Sequence, residues 1–144
     1  MAIEWPVAPK ESEMTVEVRD NTDAPANILD ASLETTVHIE WTIPSPLNAI
    51  LGGSFRLRLY AESIGPGQEI QIGDTLVVDA VPGQTDYAAN IVVDGDTLTG
   101  EGDAFNGVIV SGVYKIVAVL QHLNPGPTEV SGFAEETIRM FRAP

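Results

Sequence analysis

Residues 35–43 read TTVHIEWTI and residues 55–62 read FRLRLYAE. In the first stretch Val37, Ile39, Trp41 and Ile43 fall on one side of an extended chain, and Thr36, His38, Glu40 and Thr42 on the other. In the second, Phe55, Leu57, Leu59 and Ala61 alternate with Arg56, Arg58, Tyr60 and Glu62. A period of two marks a strand with one face buried. Working outward, strands are expected at residues 14–19, 69–72, 75–80, 87–93, 108–110, 113–123 and within 130–141. GPGQ at Gly65, VPGQ at Val81 and NPGP at Asn124 punctuate them, proline presetting one turn dihedral and glycine supplying the positive φ that follows. No stretch of about 10 to 15 residues carries a clean helical period, which argues against βαβ crossovers. Residues 134–141, AEETIRMF, favour helix by propensity, yet a sandwich needs a last strand to close a sheet, and the segment is read as that strand.

The expected fold class is therefore all-β, an antiparallel sandwich of about seven to nine strands. Residues 1–13, with Pro6 and Pro9, read as an N-terminal tail or lead-in, and 14–144 as a single β-sandwich domain. Residues 21–31, NTDAPANILDA, read as a loop. No internal repeat or low-complexity tract is visible.

Composition excludes several functions. Without cysteine there is no thiol catalysis, thiolate metal site or disulfide. Twenty-one acidic residues against seven basic ones give a formal charge of -14, which argues against nucleic acid or an anionic lipid surface as partner. Solubility explains such a charge. Adaptation to high salt, suggested by only two lysines, Lys10 and Lys115, or the covering of a basic partner are the sharper explanations. No basic leader followed by an apolar run opens the chain, and nothing approaches a membrane span, so the expectation is a cytoplasmic protein with no membrane insertion. A chain trimmed behind a removed export signal would read the same.

Residues 111–120, SGVYKIVAVL, resemble the penultimate strand of immunoglobulin-like and fibronectin-III-like sandwich modules of bacterial surface and accessory proteins, in which a glycine turn leads to a tyrosine and then alternating apolar residues. The resemblance implies that Tyr114 is a corner tyrosine whose hydroxyl bonds to upstream backbone, and that Trp41 fills the buried aromatic position. The cysteine pair of antibody domains is missing, so the resemblance reaches the architecture and supplies no chemistry.

Residues 92–103, VVDGDTLTGEGD, raise the question of calcium. Counted from Asp94, an EF-hand loop would need an oxygen ligand where Leu98 stands, glycine where Thr99 stands and glutamate where Phe105 stands. The glycine-rich nonapeptide pattern fails as well. Asp94-Gly95 between apolar flanks instead predicts a type I′ hairpin turn. Calcium held between loops by Asp94, Asp96, Glu101 and Asp103 stays open as an alternative, and otherwise no metal or cofactor is expected.

No catalytic residues are assigned. His38 lies beside Thr36 and Glu40 on an outer strand face, His122 at a strand end, and neither has a placed nucleophile. Gly65-Pro66-Gly67 feeds a strand and lacks the lysine of a phosphate loop. Two surfaces remain. Leu47, Ile50 and Leu51 in the apolar loop 44–54 either plug an open end of the sandwich or face a partner. Arg56, Arg58 and Tyr60 share one strand face and are residue types enriched at interface hot spots, unless glutamates on a neighbouring strand pair with them. The expectation is a non-enzymatic binding module, a structural or accessory subunit of an assembly whose partner is a protein, this chain itself included. The alternatives are an acidic inhibitor or immunity-type protein, or a carbohydrate- or calcium-binding sandwich. Nine aromatics leave few for a sugar platform.

Overall fold

The computed structural model describes residues 3–4, 13–45 and 47–143. Its elements are β1 (Ile3–Glu4), β2 (Met14–Arg19), β3 (Ile28–Asp30), β4 (Thr35–Thr42), α1 (Leu47–Ile50), β5 (Ser54–Ser63), β6 (Glu69–Asp79), β7 (Asp86–Val93), β8 (Ala104–Phe105), β9 (Val108–Ile109), β10 (Val113–Leu123) and β11 (Pro127–Phe141). The chain is all-β apart from one helical turn.

A large sheet runs β1-β11-β10-β5-β6, with β3 added parallel to the far end of β11; a small sheet runs β2-β4-β7, and β8-β9 is a separate hairpin. The alternation in β4 and β5 turns Val37, Ile39 and Trp41 of the small sheet toward Phe55, Leu57 and Leu59 of the large one, and all join one apolar cluster. Tyr114, Ile116, Ala118 and Leu120 of β10 complete its floor. Each large apolar side chain so buried contributes about 1.5–3 kcal/mol, which is why the period of two dictates the layers.

Several local expectations change. The strands expected at 69–72 and 75–80 form one strand, β6, which ends at Asp79 and whose register against β5 shifts between Leu57↔Leu76 and Leu59↔Ile72. Gly73, at φ 65°, sits in that bulge, where a Cβ would stand 2.5 Å from Ile91 Cγ2. The bulge brings β6 against β7 on the small sheet, so a glycine that reads as a break is a close approach. The loop at 21–31 contains β3, recruited by the β11 edge. Residues 134–141 are strand, paired with β10 as far as Arg139 and with β3 from Arg139 to Phe141.

The type I′ expectation falls on the wrong dipeptide. At Asp94-Gly95 the positive φ belongs to Asp96, whose N–H donates to Ala31 O at 2.7 Å, and Leu98 drops into the core rather than continuing a strand. Gly95 is required because a Cβ there would lie 2.3 Å from Ser32 O. The two-residue hairpin turn forms instead at Asn106-Gly107, both at positive φ, between β8 and β9.

Of the expected tail, Ile3–Glu4 forms β1, antiparallel to β11 at Gly132 and Ser131. Pro6, Pro9 and Lys10 lie outside the described residues. No helix among the described residues is long and apolar enough to cross a membrane.

Candidate interaction face

The outer face of the large sheet carries the arginine strand. Because β5 buries its odd-numbered residues, Arg56, Arg58, Tyr60 and Glu62 point outward, each half-buried or exposed. Register sets their neighbours. Arg56 lies between Val77 of β6 and Gln121 of β10, Arg58 beside Val119, Tyr60 between Gln71 and Val117, and Glu62 between Glu69 and Lys115. One strand further, Ser131, Phe133, Glu135 and Thr137 of β11 extend the same four rows.

The structure thus brings Arg56, Arg58 and Tyr60 together as expected, and the residues registered directly opposite them, Val77, Gln121, Val119, Gln71 and Val117, are apolar or amide in place of the glutamates that cross-strand pairing would require. Among the described residues neither arginine enters an ion pair, while Lys115 approaches Glu135 at 3.9 Å. Val77 is 56% and Phe133 48% exposed in the same patch. Neither was singled out from the sequence, since only the register shows that they join it. A usable signal was present in β10: VYKIVAVLQHL is apolar on both faces, with Val113, Val117 and Val119 outward. A strand with one solvated face alternates, so the outward valines mark a surface that is not simply wet.

The second surface divides. Leu51 is buried in the core and Leu47 packs against it, so both belong to the apolar cluster between the sheets; of the three, Ile50, 80% exposed, remains outward. The local reason is that residues 47–50 wind into a helical turn, with Asn48 N–H donating to Pro44 O, Asn48 Nδ2 to Thr85 Oγ1 at 3.0 Å, and Gly83 N–H to Asn48 O at 2.7 Å.

The acidic loop is occupied by arginine. Arg142 donates to Asp96 Oδ1 at 2.7 Å and to Asp103 Oδ2 at 2.9 Å, and Arg139 donates to Glu101. The Arg142 hydrogen bonds, helped by the Gly100 N–H, hold the Asp103 carboxyl below the usual carboxylate range. Reciprocally, Asp103 and then Asp96 raise Arg142. Among the described residues no group of three or more potential ligands converges, Asp94, Asp96, Glu101 and Asp103 included. The loop is tied to the C-terminal strand by ion pairs.

The corner tyrosine also moves. Tyr114 is buried, but its hydroxyl meets Thr99 Oγ1 and Gln68 Oε1, not backbone. Gln68 Oε1 further accepts the Thr99 N–H at 2.9 Å, so one amide joins the β5–β6 turn to the acidic loop. The hydroxyl-to-upstream-backbone arrangement occurs at Tyr87, whose oxygen accepts Val81 N–H at 3.0 Å and donates to Val81 O at 3.2 Å. Trp41 is buried as expected, stacked on Tyr87 and edge-on to Phe55.

His38 is a surface residue whose ring nitrogens face Asn90 Oδ1 at 2.6 Å and Glu40 Oε1 at 3.1 Å. His122 is buried beside Phe55, its ring nitrogens meeting Thr128 Oγ1 and Gly52 O. Both imidazoles are thus engaged within the fold.

No family model matches the chain, and no curated protein matches it. Among solved structures it is similar to part of a β-glucosidase from Erythrobacter marinus, at 12% identity and a TM-score of 0.51, over 90% of this chain and 15% of the other. The chain therefore corresponds to a small fraction of that protein, and a likeness at this identity is one of fold alone.

Proposed function

We propose that this chain is an immunoglobulin-like sandwich that acts by binding a protein through the outer face of its large sheet, as a structural or accessory component of an assembly. The architecture is supported by the order β2-β4-β7 opposed to β6-β5-β10-β11, with the chain crossing between sheets at β2–β3, β3–β4, β4–β5, β6–β7 and from β7 to β10. The binding reading rests on one observation: Arg56, Arg58, Tyr60, Val77, Val119 and Phe133 form a continuous arginine, aromatic and aliphatic patch in a chain of charge -14. Arginine and aromatic residues around an apolar centre are the composition of interface cores.

The test is a photoreactive phenylalanine analogue at position 133, irradiated in an extract of the source cells. A binding face yields a discrete protein cross-link that disappears in the Arg56→Glu, Arg58→Glu variant, while the variant's unfolding free energy stays within about 0.5 kcal/mol of wild type, as surface changes usually do. Absence of any such cross-link, to itself or to another protein, removes the reading.

A further inference from the structure

We infer that the partner fitting this face is a second copy of the chain, docked face to face about a two-fold axis; the inference rests on the binding reading above. The rows carry it. The first two hold Arg56 with Val77, Gln121 and Ser131, then Arg58 with Val119 and Phe133. The next two hold Tyr60 with Gln71, Val117 and Glu135, then Glu62 with Glu69, Lys115 and Thr137. Within these four rows one half carries two arginines and the other three glutamates against one lysine, while Asp79, paired with Ser54, stands exposed one row beyond Arg56.

An isologous contact sets a patch against itself after a half-turn. With the axis lying in the interface and crossing the strands between the Arg58 and Tyr60 rows, the Arg56 row of each copy lies over the Glu62 row of the other. The Arg58 row then lies over the Tyr60 row, and the complementarity is satisfied twice. Tyr60, Val117, Val119 and Phe133 occupy the two middle rows, which become the centre, where interface cores concentrate aromatic and aliphatic residues.

Glu62 and Glu69 are direct cross-strand partners, a like-charge placement that is unfavourable in an isolated sheet. Arginine from a second copy relieves it. A uniformly acidic foreign surface would answer Arg56 and Arg58 but set carboxylates against Glu62, Glu69 and Glu135; a uniformly basic one would reverse the fault. Four strands about 4.8 Å apart and four rows about 6.8 Å apart cover roughly 500 Å² of flat area, short of the roughly 800 Å² per partner of a standard interface. The pair is accordingly weak and salt-sensitive.

Sedimentation equilibrium of the full chain, from about 1 to about 300 µM, reads this directly. The expected result is a dimer whose dissociation constant weakens at least about tenfold between about 0.05 M and about 0.5 M salt. The Arg56→Glu, Arg58→Glu variant and the Glu62→Arg, Glu69→Arg variant should each be monomeric, and their equimolar mixture should dimerise at least as tightly as wild type. A wild type that stays monomeric throughout overturns the inference, whether or not the variants fold. So do folded variants that still dimerise alone, or a mixture that does not recover. A monomeric wild type that still cross-links a different protein through position 133 sinks the self-pairing while sparing the binding reading; a monomer that cross-links nothing sinks both.

Discussion

The Glu136 carboxylate accepts the backbone N–H of Val18 at 3.0 Å, joining β11 of the large sheet to β2 of the small one across 118 residues of sequence. An edge strand leaves main-chain groups unpaired, and here a side chain takes the place of a neighbouring strand. Glu136→Ala strands a partly buried donor and should cost about 1.5–3 kcal/mol in urea denaturation, the range for a hydrogen bond to a charged group. Glu136→Gln keeps an acceptor and should lose less than half as much. A glutamine variant as damaged as the alanine one would show that the negative charge, and not merely an acceptor at this place, carries the contact.

The aromatic cluster gives a contrast within one site. Trp41 stacks on Tyr87 with centroids 5.5 Å apart, yet its Nε1 is buried with no hydrogen-bond partner among the described residues. Trp41→Ala should therefore cost roughly 3–5 kcal/mol through the cavity it opens. Trp41→Phe keeps most of the volume and removes the unsatisfied N–H, so its cost should stay below about 1.5 kcal/mol. Chemical denaturation of both variants decides; a phenylalanine variant as damaged as the alanine one would mean that the indole N–H does find a partner.

Much of this was legible in the sequence, for a physical reason. Strands whose burial follows a strict alternation, β4 and β5 above all, announce themselves, and Trp41 and the β10 boundaries follow from them. What was illegible depended on register or on distant neighbours. The Gly73 bulge merges two expected strands because Ile91 and Val92 of another sheet press on it, and Phe133 joins the arginine face only because β11 pairs with β10 in one particular register. Asp94-Gly95 and Asn106-Gly107 offer the same local preference for a primed turn; the loop at Ala31 and Ser32 captures the first and leaves the hairpin to the second. Tyr114 was placed in the core correctly, but a hydroxyl's partner is set by whichever loop arrives there, and the loop carrying Thr99 does.

Acid should act on the C-terminal clamp. Asp103 is held low chiefly by Arg142, so its contribution to stability is present above the ordinary carboxyl range near pH 4 and is lost as pH falls through its lower folded value. Asp20, held low by the Thr22 hydroxyl and the Ala24 N–H, behaves alike but without an arginine. Urea midpoints should therefore fall between about pH 4 and about pH 2 in wild type, and fall less steeply in Arg142→Ala, where only groups such as Asp20 retain their shift. Identical slopes would show that the Arg142 ion pairs do not persist in solution.

Calcium supplies the last contrast, because Asp96, Glu101 and Asp103 already serve as acceptors for Arg142 and Arg139. A cation entering between Asp96 and Asp103 must displace a guanidinium that donates to both, so millimolar calcium should leave the melting temperature of the wild type where chelator leaves it. A ligand at 100 times its dissociation constant would stabilise by about 2.7 kcal/mol, which a melting curve resolves easily. Arg142→Ala frees Asp96 and Asp103 but leaves Glu101 on Arg139, and two carboxylates on adjacent loops fall short of the six to eight oxygens that calcium gathers. The variant should accordingly stay as indifferent to calcium as the wild type. A rise of several degrees in the variant alone would mean that the loop is a cation site closed by arginine, and a rise in both would mean that calcium outcompetes the ion pairs.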